Sequence, residues 1–316
     1  MDIPGLLDAA RGGDRRALAR LLTLVERSPD EAAEIERRID LAAPGAFTVG
    51  ITGAPGAGKS TLVGALLRAA ACRDERIAVL AIDPSSPFSR GALLGDRVRM
   101  SQGLAGVTER IFIRSMATRG QQGGLSQAAQ TSAALLAACG WSWVILETVG
   151  TGQVEVDVAA AADVTVLVLN PGWGDEIQAH KAGIMEIGDV FVINKADRPG
   201  VEDTRRHLAL LLASRPTGAP PVPVVETIAT SDVGVVQLWD TLRSLREAGS
   251  DPQARRERRL RQLLINALRA RFERRLALFA GSAACAEAVA GLAGGDAVLP
   301  DLVEDLARQL SGRDPS

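Results

Sequence analysis

The stretch Gly53-Ala54-Pro55-Gly56-Ala57-Gly58-Lys59-Ser60, followed by Thr61, has the residue types needed to hold a polyphosphate. It fits G-x-x-x-x-G-K-S, in which glycines let backbone N–H groups curl around an anion without Cβ clashes. An apolar run rich in β-formers, Phe47 to Ile51, precedes it, and a helical pattern through Leu62, Val63, Leu66 and Leu67 follows. A helix starting at the loop would aim its positive dipole end at the phosphates. Lys59 then reaches the β- and γ-phosphates, and the Ser60 hydroxyl can ligate Mg²⁺.

A second set follows the apolar run Val190–Ile193: Asn194-Lys195-Ala196-Asp197, an N-K-x-D sequence of the kind that reads guanine. The Asp197 carboxylate can accept hydrogen bonds from guanine N1–H and its exocyclic amine. Adenine lacks that donor pair, and a carboxylate left without donors is costly. The Lys195 stem can lie along the base, while Asn194 ties its loop to the phosphate loop. Ala229 and Thr230, in the loop Glu226–Ser231, are placed to offer backbone N–H to guanine O6. Asp83 and Glu147 each end an apolar run, and either acid suits the hard oxygen preference of Mg²⁺. Gly150-Thr151-Gly152-Gln153 reads as a segment that senses the γ-phosphate, with Gln153 able to orient water. The glycine-rich loop from Pro171 to Glu176 leads toward Lys181 and is a second candidate mobile loop; a plain surface turn is the competing reading.

These residues need a scaffold. Seven short Val/Ile-rich runs, Phe47–Ile51, Ile77–Ile82, Ile111–Ile113, Trp143–Leu146, Val164–Leu169, Val190–Ile193 and Val222–Val225, predict an α/β fold. The expected architecture is a mostly parallel sheet with helices on both faces, binding ligands at the carboxyl ends of its strands. Residues 1–45 read as an N-terminal helical arm, 46–250 as the nucleotide-binding domain, and 251–316 as a C-terminal helical region. Nine arginines lie between Arg255 and Arg275, opposite an apolar stripe through Leu264, Leu268, Phe272 and Leu276. A solvated basic helix face is one reading of that segment, and an oligomer or partner surface is the other.

Composition narrows the classes. The 316 residues carry a net charge of -2, giving no general attraction to nucleic acid or anionic membrane. Four Trp, six Phe and no Tyr leave too few rings for a stacking platform on single-stranded nucleic acid. Cys72, Cys139 and Cys285 are scattered without a C-x-x-C, as expected of reduced thiols in the cytoplasm. No leader-like segment opens the chain, and the longest apolar stretch, Val156–Leu169, is interrupted by Asp157 and Asp163. His180 and His207 are the only histidines and form no evident metal pair.

Taken together with AIDPSS at 81–86, LLGDRVRM at 93–100, ETVGTGQ at 147–153 and GDEIQAHKAGIMEI at 174–187, the two motifs resemble the methylmalonyl-CoA mutase-associated GTPases, the MeaB/ArgK family. The resemblance implies a SIMIBI-class P-loop G domain with a C-terminal helical dimerisation region. It implies a homodimeric GTPase, using GTP/GDP and Mg²⁺, that serves a cobalamin-dependent acyl-CoA mutase by gating adenosylcobalamin delivery and protecting or reactivating the enzyme. By the same similarity Asp83, Asp96 and Glu147 would be the acids on the Mg²⁺ side. The 171–183 loop would couple to the mutase, with Asp175 and Lys181 as its active charges. Rival readings are a nickel metallochaperone, which would want Cys- or His-rich sites, a transport-protein kinase, which would want ATP, and a nucleotide-stabilised scaffold.

Overall fold

A computed structural model describes residues 2–40, 45–73, 75–83, 100, 108–117, 124–148, 155, 158–159, 161–172, 188–214, 221–248, 252–295 and 298–311. Seven strands form one sheet: β1 (Phe47–Gly53), β2 (Ile77–Asp83), β3 (Ile111–Ala117), β4 (Trp143–Thr148), β5 (Val164–Leu169), β6 (Val190–Asn194) and β7 (Val224–Thr227). Their order is β3-β2-β4-β1-β5-β6-β7, and every pairing is parallel. β1 lies between β4 and β5, so the chain leaves it toward one side of the sheet and later crosses to the other. That crossing makes the carboxyl end of β1 the switch point at which such sheets bind ligands.

The continuous apolar runs become strands because both faces of the sheet are covered: β1, β4, β5 and β6 are buried along their whole length. Alternate residues serve alternate faces. Val49, Ile51, Val166 and Val168 pack with Leu62 and Leu66 of α4 (Lys59–Ala71). Leu238 and Trp239 of the helix Val235–Ala248 join that layer, with the Trp143 and Trp239 rings 4.6 Å apart. On the opposite face Leu167, Leu169, Phe191 and Ile193 meet Leu208 of the helix Val201–Ala213.

The N-terminal segment packs on this second face. Its helices α1 (Ile3–Arg11), α2 (Arg15–Arg27) and α3 (Pro29–Arg38) share a core with Leu80, Phe112, Leu146 and the helix Gly124–Ala138. Their starts are capped by Asp2, Asp14 and Ser28. Arg114 of β3 anchors α2 through Glu26 at 2.9 Å and the Ala19 carbonyl at 2.8 Å, and Thr131 donates to Glu36 of α3.

β5 alone keeps the bounds of its apolar run; β1, β2, β4 and β6 extend one or two residues further, to Gly53, Asp83, Thr148 and Asn194, and β3 and β7 depart further. β3 runs on to Ala117, because its ladder with β2 continues to Asp83↔Ala117. β7 begins at Val224 and ends at Thr227, two residues later than the apolar run suggests, since Asn194 of β6 pairs with Thr227. Glu226 and Thr227 therefore belong to the sheet and not to the loop after it.

The chain divides into two compact units, Met1–Leu263 and Leu264–Ser316. The division falls within the long helix Pro252–Ala280. In the second unit the helix Ala283–Gly294 has no fully buried residue, and Leu264 and Leu278 are 62% and 77% exposed. Among the described residues no single helix is long and apolar enough to cross a membrane.

Candidate functional site

β1 ends at Gly53 with φ 141°, pressed against β5: a Cβ there would lie 2.1 Å from the Val168 carbonyl oxygen. No side chain fits that approach, so the loop can leave the sheet only at a glycine. Gly58, at φ 93°, closes the loop immediately before α4, and a Cβ on it would fall 2.4 Å from Asn194 Nδ2. The two glycines thus do separate jobs. One lets the loop depart, and the other admits the side chain that joins it to β6.

Lys59 opens α4 and is only 5% exposed. Its ammonium donates to the carbonyls of Gly53 at 2.8 Å and Ala54 at 3.0 Å, holding a positive charge over the loop. Ser60 Oγ donates to Glu147 Oε1 at 2.6 Å. Glu147, 4% exposed, comes from β4, where it pairs in register with Ile51 of β1. Asp83 ends β2, the neighbour of β4. The hydroxyl of Ser60 and the carboxylate of Glu147 are hard oxygen donors beside a phosphate loop, a set that fits Mg²⁺. Among the described residues no three His, Cys, Asp or Glu side chains gather.

Asn194 is buried and uses both ends of its amide. Nδ2 donates to the Ala57 carbonyl at 2.9 Å, while Oδ1 accepts from Thr227 Oγ1 at 3.0 Å and from the Ala229 N–H at 3.2 Å. Lys195 sits at φ 58° and donates from Nζ to the Gly56 carbonyl at 2.6 Å. Asp197 stands exposed in the turn that follows. The loop after β7 is closed by Ile228 N–H to the Val233 carbonyl at 3.0 Å, with Ser231 N–H returning to Ile228 at the same distance. Ala229 is buried and Thr230 exposed.

The structure therefore brings Gly53 through Ser60, Glu147, Asn194 and Lys195 into one bonded group, with Thr61 next on α4. The Ala229 N–H, expected to face guanine O6, is directed at Asn194 Oδ1. Asp96, Gln153, Asp175 and Lys181 lie outside the described residues. Thr227 carries no motif of its own in the sequence. Its signal is a hydroxyl at the end of a strand paired with the strand that ends in Asn194, and it becomes visible only once the register is known.

The sequence profile described as "Methylmalonyl Co-A mutase-associated GTPase MeaB" matches residues 18–277. A protein of Pyrococcus abyssi named as a GTPase is 50% identical over 250 residues, covering 78% of this chain and 76% of that one. The mouse protein "Methylmalonic aciduria type A homolog, mitochondrial" is 35% identical over 250 residues, 73% of this chain and 60% of that one. The crystal structure of a LAO/AO transport system kinase superposes with a TM-score of 0.69 at 26% identity, covering 98% of both chains.

Proposed function

Because the chain belongs to the methylmalonyl-CoA mutase-associated GTPase family, MeaB, we propose that it hydrolyses GTP with Mg²⁺ as a switch serving a cobalamin-dependent acyl-CoA mutase. In that role it gates adenosylcobalamin loading and protects or reactivates the mutase. The observation that carries guanine selectivity is Asn194, whose one amide joins the phosphate loop, β7 and the loop beyond it. That bonding fixes the N-K-x-D segment next to the phosphate site, which is what reading base and phosphates together requires.

The chemistry follows from the groups present. Water attacks the γ-phosphorus, the bond to the β,γ-bridging oxygen breaks, and GDP and phosphate leave. Lys59 exchanges its carbonyl partners for phosphate oxygens and stabilises the charge on the transferring group. Ser60 and Glu147 would hold Mg²⁺, which when bound would neutralise phosphate charge. Asp197, exposed and within three residues of Asn194, receives the guanine N1–H and amine. Thr230 supplies the N–H for O6, since that of Ala229 is engaged with Asn194. Gln153 orients the water, Asp83 and Asp96 would be further acids on the Mg²⁺ side, and the 171–183 loop with Asp175 and Lys181 carries the nucleotide state to the mutase. The protein works in the cytoplasm as a homodimer formed by its C-terminal helices, a reading supported by Leu268, Phe272 and Leu276 standing 47%, 49% and 54% exposed.

Turnover of GTP with and without a cobalamin-dependent acyl-CoA mutase tests this reading. Faster turnover with the mutase, and a complex whose stability differs between GTP and GDP, is expected. Equal rates and no complex in any nucleotide state would refute the chaperone role.

A further inference from the structure

The loop beyond β7 is held from two sides. On one, Asn194 Oδ1 accepts from the Ala229 N–H at 3.2 Å. On the other, Arg68 of α4 grips Asp232, with Nη2 to Oδ1 at 2.6 Å and Nε to Oδ2 at 3.4 Å. Asp232 occupies the left-handed region at φ 59°, a conformation Asp tolerates better than most residues. Two residues on, Gly234 at φ 73° turns the chain so closely under β7 that a Cβ would lie 1.9 Å from the Glu226 carbonyl oxygen. The loop thus has little freedom of its own, and its outer end is set by a side chain from α4. That helix begins at Lys59, so Arg68 sits nine residues along it, about 13.5 Å at 1.5 Å per residue.

We propose that Arg68 is a positioning residue for guanine recognition: through Asp232 it ties the helix that carries Lys59 and Ser60 to the 228–233 loop, so that phosphate site and base-reading loop keep one spacing. The inference rests on the guanine-nucleotide reading above. Arg68 touches no nucleotide, and it acts by fixing where the Ala229–Thr230 backbone stands. A second ion pair supplies the control. Arg73, just past α4, pairs with Asp240 on the helix Val235–Ala248 and leaves the 228–233 loop untouched. If the Arg68–Asp232 pair served only to fasten α4 to its neighbours, the two pairs would be interchangeable.

The test compares Arg68→Met, Asp232→Asn, the double variant and Arg73→Met with the unaltered full-length chain, by titration with GDP, IDP and ADP in Mg²⁺ and by thermal melts. IDP keeps the O6 acceptor and lacks the 2-amino group read by Asp197. The expected result is a loss of about two- to fivefold in affinity for GDP and IDP alike, in keeping with a half-exposed ion pair. The double variant should be no worse than either single one. Arg68→Lys should recover part of the loss, and Arg73→Met should leave nucleotide affinity unchanged whatever it does to the melt. Unchanged GDP affinity in both Arg68→Met and Asp232→Asn, or an equal loss in Arg73→Met, would overturn the proposal. No GDP binding by the unaltered chain would overturn the guanine-nucleotide reading itself, a separate outcome.

Discussion

At the carboxyl edge of the sheet, Lys59, Ser60, Asn194 and Lys195 all have hydrogen-bond partners, and Lys59, Glu147 and Asn194 are almost wholly buried. Along the C-terminal helices Leu264, Leu268, Phe272 and Leu276 present their side chains to solvent. In the first region the described site residues are bonded to one another within one chain. The second is apolar where a water-facing helix would be polar, so it has the character of half an interface. Damage at the first should change chemistry or folding without changing assembly. Damage at the second should do the reverse.

The largest expected effect is from Lys59→Ala. Losing one preorganised donor to the transferring phosphoryl group should slow GTP hydrolysis about 10²–10³-fold, read as kcat in a phosphate-release assay, with the oligomeric state unchanged. Next comes Gly53→Ala, whose Cβ has nowhere to go beside Val168. It should lower stability by about 3 kcal/mol, seen as an earlier denaturant midpoint, and weaken nucleotide binding with it.

Much of that edge was legible beforehand because it rests on local rules. A glycine loop between a strand and a helix, and Asn-Lys-Ala-Asp after a strand, state their geometry in a few consecutive residues. The seven strands are legible for a similar reason, each containing a Val- or Ile-rich run, with β1, β4, β5 and β6 buried along their whole length. The parts that escaped depend on partners far apart in sequence. The shift of β7 to Val224–Thr227 is fixed by its ladder with β6, and the Arg68–Asp232 pair joins residues 164 positions apart. The direction of the Ala229 N–H was equally hidden, since Asn194 claims it from 35 residues away. From sequence Asp83 and Glu147 are equivalent strand-end acids; Glu147 is the one bonded to Ser60 because β4, not β2, lies beside β1.

Substitution on the other region sharpens the contrast. Leu268→Glu with Phe272→Glu places charge on the exposed stripe, and each apolar side chain contributes about 1.5–3 kcal/mol when buried in a contact. Sedimentation should show dissociation to monomer while GTP turnover per chain stays near that of the unaltered protein. A monomeric starting protein would remove the dimer reading.

The smallest effect concerns the cysteines. Burial pushes the Cys139 thiol up to about 11, against an ordinary value of 9.0, so it stays protonated at neutral pH. Cys285, itself half-buried on the helix Ala283–Gly294, should be alkylated well before Cys139, followed by mass spectrometry of the labelled peptides. The sign for stability is set by the raised value. The contribution is fully present below the unfolded-state pKa and fades as pH climbs toward the folded one, costing about 1 kcal/mol between pH 9 and 10.

The most direct measurement is turnover of GTP against ATP by the purified chain in Mg²⁺. Slow hydrolysis of GTP, faster in the presence of a cobalamin-dependent acyl-CoA mutase, with ATP left intact, is the expected result. Hydrolysis of ATP at an equal or greater rate would contradict the assignment of Asn194 and Asp197 to guanine.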